Sequence, residues 1–208
     1  MEKSLLALDA VTCVRGLRPL FAPLSLALPA GQWVHIQGAN GAGKTTLLRT
    51  VCGLAMPETG QVLWQGQPIH QDRAAYQSDL LYLGHALALK GELSALDNLI
   101  TDARLRGHPL RAEQALHALS QVGLRARAHL PLRVLSQGQQ RRAALARLVV
   151  SQARLWVLDE PWVALDADSV ALLSHQLDAH VRRGGALMFT SHQAAPLATS
   201  GQTVSLHA

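Results

Sequence analysis

Nine residues, GANGAGKTT from Gly38 to Thr46, set a lysine and two threonines behind three glycines in the pattern GxxxxGK[ST]. Such a run can curl the backbone N–H groups of Gly38, Ala39, Asn40, Gly41, Ala42 and Gly43 around a phosphate. The helix expected to open behind it adds partial positive charge at its N-terminus. Lys44 is then expected to reach the β- and γ-phosphates, Thr45 to bind Mg²⁺ through its hydroxyl, and Thr46 to complete the cradle. The opposite side of a Mg²⁺ shell needs a carboxylate at a strand end. LWVLDE, Leu155 to Glu160, supplies one: Asp159 falls on the metal side, and Glu160 is left to polarise a water for in-line attack on the γ-phosphate. Singly, a glycine-rich turn or an acidic strand end is ordinary. Their order, each behind an apolar run, makes the pair specific for a nucleoside triphosphate.

These groups need a scaffold that brings them together. Residues 5 to 37 alternate loosely between apolar and polar, broken by Gly16, Pro19, Pro29 and Gly31, and read as strands ending in WVHIQ, Trp33 to Gln37. A helix is expected from about Gly43 to Cys52. A hairpin from Gly60 to Ile69, turning near Gln65-Gly66, is followed by a strand ending at Gly84 and His85. Ser94 with Asp97 three residues on resembles a capping box and predicts a helix from about Ala95. Residues 95–150 read as largely helical, with breaks at Gly107-His108-Pro109, Gly123 and Pro131. LWVLDEP is a fully apolar strand with an acidic end, residues 167–183 form a helix closed by Gly184-Gly185, and ALMFTS and TVSLH are strands. Strands alternating with helices imply an α/β fold with a mostly parallel sheet. The expectation is one domain over 1–208, with an N-terminal antiparallel β part and a helical lobe, approximately 86–150, inserted in the core.

Composition narrows the classes. At 208 residues and 49% apolar content, the chain can bury a proper core. No apolar run approaches the roughly 18 residues needed to span a bilayer, and the start has no signal-peptide stretch, so a cytosolic chain is expected. Cys13 and Cys52 are isolated, and the ten histidines include no HExxH pair, so no thiolate or imidazole metal site is expected. The net charge of +5 suits an anionic lipid surface, a nucleic acid or a merely basic exterior. The arginines are dispersed, and charge alone decides nothing.

LSQGQQRRAALAR, Leu135 to Arg147, narrows the field further. Here the chain resembles the ABC ATPases, whose LSxGQ signature is matched by Leu135, Ser136, Gln137, Gly138 and Gln139. The resemblance implies a P-loop NTPase core and two copies packed head to tail. In that arrangement Ser136, Gly138 and Gln139 of one copy cap the ATP held by the other. VALDADS resembles the D-loop, with Asp166 near that interface. FTSHQ resembles the switch region, with His192 contacting the γ-phosphate and the attacking water.

Two positions depart from the family. The strand that usually ends in glutamine, coupling the Mg²⁺ site to the helical lobe and the transport partner, carries His85. An imidazole there can exchange hydrogen bonds with a water on the metal, and its protonation would repel Mg²⁺. Where an aromatic usually stacks on adenine the chain has Arg15, whose guanidinium plane can also stack; Phe21 is the weaker substitute.

LGHALALKGELSALDNL and LSQGQQRRAALARL are similar to the ATP-binding subunits of bacterial heme-exporter-type complexes in c-type cytochrome maturation. That implies ATP and Mg²⁺, a second copy, and a small polytopic permease docking near residues 86–98. It also implies other maturation membrane proteins and a peripheral place on the cytoplasmic face of the inner membrane. Hydrolysis would drive heme export or release of a heme-loaded chaperone. Two alternatives stay open. One is the ATPase of a drug or ion exporter. The other is a soluble ABC ATPase acting on DNA or ribosomes, whose long insertions or paired domains find no room here; no nucleic acid is expected.

Overall fold

In the computed structural model, which describes residues 4–207, the chain divides into two compact units. The first takes in the chain up to Gly84, Ala153–Pro161 and the chain from Leu177; the second holds His85–Gln152 and Trp162–Gln176.

The first unit begins with Ser4–Thr12 (β1), whose alternation buries Leu6, Leu8 and Val11. Val14–Arg15 (β2) and Arg18–Pro19 (β3) make a small hairpin about Gly16, and Leu24–Pro29 (β4) returns antiparallel to β1. Trp33–Gln37 (β5) leads through the glycine-rich turn into Lys44–Val51 (α1). Thr59–Trp64 (β6) and Gln67–Pro68 (β7) form the second hairpin around Gln65 and Gly66, both at positive φ. The antiparallel sheet runs β4-β1-β6-β7. A bulge at Ala10, φ 47°, shifts its register between Leu8 and Val11. Gly60 passes so close beneath it that a Cβ would lie 2.3 Å from the Asp9 and Ala10 carbonyl oxygens, a fit open only to glycine.

Between this hairpin and the next strand the chain forms a short helix, Arg73–Ser78 (α2), where the sequence reading placed no element. Asp72 caps it, accepting from the Ala75 N–H at 3.0 Å, and Tyr76 is its buried anchor, donating from its hydroxyl to the Val51 carbonyl at 2.7 Å. Leu80–Leu83 (β8) follows.

The second unit opens with His85. Ala95–Leu105 (α3) starts where Ser94 accepts from the Asp97 N–H at 3.0 Å; Ala112–Gln121 (α4) and Gln137–Val150 (α5) follow. The breaks between them carry Gly107 and Gly123 at positive φ and a 3-10 turn just after Pro131. Alanines let the three helices approach closely: Ala115, Ala118, Ala143 and Ala146 are buried with Leu96, Leu99 and Leu119. The buried Arg147 guanidinium is matched by Asp102 at 2.9 Å.

Leu155–Leu158 (β9) returns to the first unit, Ala167–Arg182 (α6) carries the chain from one unit to the other, and Ala186–Thr190 (β10) and Gly201–Ser205 (β11) end it. The parallel sheet has the order β11-β5-β10-β9-β8. Every residue of β9 and β10 is buried, which explains their unbroken apolar sequence: a central parallel strand has no solvent face. Beneath β9 the Trp156 ring stacks on His180 at 3.8 Å. Burial pulls the pKa of that imidazole down to about 4, so it packs as a neutral ring facing the Ala186 carbonyl at 3.2 Å.

Candidate functional site

The carboxyl ends of β5, β9 and β10 lie side by side, and the residues that follow them form one constellation. After β5 the turn holds Gly38, Gly41 and Gly43 at φ values of 151°, 85° and 94°. Gly43 immediately precedes α1, and a Cβ on it would meet the Leu20 Cβ at 2.9 Å, so both its conformation and its space require glycine. Lys44 folds its ammonium back over the turn, donating to the Gly38 carbonyl at 2.7 Å and the Ala39 carbonyl at 3.2 Å. Thr46 is half-buried on the first turn of α1.

A cavity of about 880 Å³ opens over this turn, with Gly38, Ala39, Asn40, Gly41 and Ala42 on one side. Its other walls come from Arg15 and Arg18 of the small hairpin and from His207 beyond β11. That is room for a nucleotide-sized ligand, walled by cationic groups. Arg15 lines this cavity. Phe21 does not stand in for it: the ring is 2% exposed and packs against Gly43, so it belongs to the core. Arg18 was not singled out from the sequence.

The second wall of the constellation is acidic. Asp159, buried at the end of β9, accepts from the Thr45 hydroxyl at 2.9 Å on one carboxylate oxygen and from the Thr190 hydroxyl at 2.7 Å on the other. A hydroxyl and a carboxylate facing each other are the hard oxygen donors that suit Mg²⁺. Glu160, the next residue, sits at φ 50°, a left-handed backbone that costs a non-glycine residue about 1–2 kcal/mol. Its N–H is held by the Thr190 hydroxyl at 3.0 Å, and one carboxylate oxygen lies 3.5 Å from the His192 Nε2. The His192 side chain is 58% exposed and that of Glu160 only 16%, so the imidazole lies between a largely buried carboxylate and solvent.

Thr190 was missed by sequence reasoning, yet it holds both acids at once. Replacing it with valine keeps the shape and removes the hydroxyl from a site with no exposure. The expected cost is about 1–3 kcal/mol of folding stability, read as a lower urea midpoint at unchanged slope. An unchanged midpoint would mean that water replaces the hydroxyl.

The remaining candidates lie in the second unit. Ser136 caps α5, with the Gln139 N–H donating to its hydroxyl at 3.3 Å and its own N–H donating to the Gln139 side-chain oxygen at 3.1 Å. Gly138 lies against the Ala164 carbonyl, which a Cβ would approach to 3.3 Å. Asp166 accepts from the Ser169 N–H at 2.9 Å, and its bonds with Ser169 hold its carboxyl below the usual carboxylate range. His85 is exposed and makes no side-chain hydrogen bond among the described residues. The structure thus groups Arg15, the glycine-rich turn, Thr45, Asp159, Glu160 and His192 within the first unit. His85, Ser136, Gly138, Gln139 and Asp166 belong to the second.

Comparison with known proteins gives this geometry a context. The family model for ABC transporters matches residues 21–163. A Pseudomonas aeruginosa protein named cytochrome c biogenesis ATP-binding export protein CcmA is 47% identical over 195 residues, covering 94% of this chain and 96% of the relative. The protein of the same name from Escherichia coli (strain K12) is 47% identical over 188 residues, 90% of this chain and 89% of its own. Among solved structures, an ABC transporter ATP-binding protein from Pyrococcus furiosus superposes with a TM-score of 0.84 at 26% identity, covering 97% of both chains.

Proposed function

The chain belongs to the ABC transporter family, and we propose that it is the ATP-hydrolysing, energy-coupling subunit of a membrane complex for c-type cytochrome biogenesis. Its hydrolysis drives heme export or the release of a heme-loaded chaperone. The cytochrome assignment is supported by the shared name of relatives that align over nearly the whole chain.

The ATPase reading is carried by one observation: Thr45 and Thr190 clamp Asp159 from two sides while Glu160 and His192 stand 3.5 Å apart beside it. In this reading the N–H groups from Gly38 to Gly43 receive the β- and γ-phosphates, and Lys44 leaves its carbonyl partners for the phosphate oxygens. Thr45 and Asp159 would hold Mg²⁺, which draws charge from the phosphate oxygens. Glu160 accepts a proton from the attacking water, and His192 positions that water and the γ-phosphate. Arg15 lies flat against the base. His85 relays the state of the metal site to the helical unit, where the membrane partner docks near residues 86–98. Two copies complete each site head to tail, each lending Ser136, Gly138, Gln139 and Asp166 to the other's ATP. No helix among the described residues is long and apolar enough to cross a membrane. Attachment to the membrane is assigned to a small polytopic permease, on the cytoplasmic face of the inner membrane.

Co-purification tests the assignment. A tagged Glu160→Gln chain, extracted gently from its native membranes with ATP and Mg²⁺ present, should carry with it a polytopic permease and cytochrome-maturation membrane proteins, identified by mass spectrometry. An unrelated permease would keep the ATPase and remove the heme role; ribosomal or DNA-bound partners would remove transport.

A further inference from the structure

We propose that His35 is a positioning residue that sets the switch loop, and His192 with it, through a hydrogen bond from its ring to the Ser191 carbonyl. The inference rests on the reading above that Glu160 and His192 flank the attacking water.

His35 lies on β5, three residues before the phosphate-binding turn, and is 2% exposed. Its strand neighbours Val34 and Ile36 are fully buried and apolar. An apolar side chain could fill the same space without the desolvation cost of an imidazole, so the ring's polar atoms need an account. Both are engaged. Nε2 lies 3.0 Å from the Ser191 carbonyl oxygen, and Nδ1 lies 3.3 Å from the Gln37 side-chain nitrogen. A carbonyl oxygen can only accept, so Nε2 carries the hydrogen. Nδ1 is then the acceptor, and the Gln37 amide supplies the matching donor. His35 and Gln37 are two apart on one strand and so share a face.

This fixes one neutral tautomer. Burial lowers the pKa of the ring, opposed by the Ser191 bond and by the charge of Glu160. The ring plane is set by stacking on Phe189 of β10, with centroids 4.8 Å apart and planes 17° from parallel. The donated bond therefore has a defined direction. Its acceptor belongs to the residue immediately before His192, whose Nε2 is 3.5 Å from Glu160. In this way the strand that ends in the phosphate-binding turn also fixes the start of the loop that carries the water-side imidazole.

The test separates the donor from the stacked ring. Steady-state hydrolysis of MgATP by the full chain is compared for the wild type, His35→Phe, His35→Gln and His192→Ala. Phenylalanine keeps the ring against Phe189 and loses the donor; glutamine loses the ring and places an amide N–H near the position of Nε2. His35→Phe should lower kcat by about tenfold or more with KM within about twofold of wild type, whereas His35→Gln should stay within about threefold on both. A Phe variant as fast as the Gln variant, or faster, would overturn the proposal, because packing alone would then account for the residue. If His192→Ala abolishes turnover while His35→Phe leaves it unchanged, only the His35 assignment falls. If His192→Ala itself leaves turnover unchanged, the water-side reading fails and the inference with it. Ring ¹⁵N shifts of the wild type give a check that needs no variant to fold: an Nε2–H tautomer is expected near neutral pH, and an Nδ1–H tautomer or a charged ring would overturn the proposal.

Discussion

Changing Glu160 to glutamine will slow ATP turnover by about 10²–10⁴-fold while leaving nucleotide affinity within about threefold, the range removed with a general base. The amide keeps the volume and the left-handed backbone but cannot accept a proton. Glu160 is well placed for that role: its backbone is held by the Thr190 hydroxyl, its side chain is 16% exposed, and His192 flanks it at 3.5 Å. A positive φ at a non-glycine residue persists only where the surroundings impose it, here where the last residues of β9 meet those of β10. Because ATP binds without being consumed, the variant should accumulate as an ATP-bound dimer. Single-turnover phosphate release and the mass of the complex in ATP measure the two effects. Hydrolysis within a few-fold of wild type would remove Glu160 from its place.

Lys44→Ala should act on the other limb, weakening ATP binding by about 100-fold or more. An ammonium that donates to two phosphate oxygens makes charge-assisted hydrogen bonds worth about 1.5–3 kcal/mol each. The fold should be indifferent, because Lys44 is part-exposed and its partners here, the Gly38 and Ala39 carbonyls, can turn to water when it leaves. Calorimetric titration with ATP reads the first effect and a thermal scan the second. An affinity near wild type would mean that the backbone cradle alone holds the phosphates. A collapsed unfolding midpoint would mean that the lysine staples the turn.

The site was legible where chemistry follows from local spacing. The glycine turn, the hydroxyl behind it and the acidic end of an apolar strand all lie within short windows, and their order predicts the parallel sheet that unites them. The start of α3 at Ala95 could be read from Ser94 and Asp97 for the same reason. What escaped depends on pairing between distant segments. Thr190 meets Asp159 across 31 positions because β10 and β9 run parallel in a fixed register, and Ser191 meets His35 across 156. Neither contact leaves a trace in composition or period. Phe21 was open as a base-stacking ring because nothing near it in sequence says which way it points; its packing against Gly43 decides that. The short helix α2 escaped for another reason. Six residues with one buried side chain, Tyr76, show no helical period, and only the Asp72 cap marks the start.

A role for this ATPase in making c-type cytochromes can be tested by deleting its gene in the source organism. Wild-type or Glu160→Gln protein is then restored at matched levels, and covalently attached heme is measured in the c-type cytochromes. Deletion should abolish holo-cytochrome c, the wild type should restore it, and the Glu160→Gln protein should not. Unchanged holo-cytochrome c after deletion, or equal restoration by both proteins, would contradict that role.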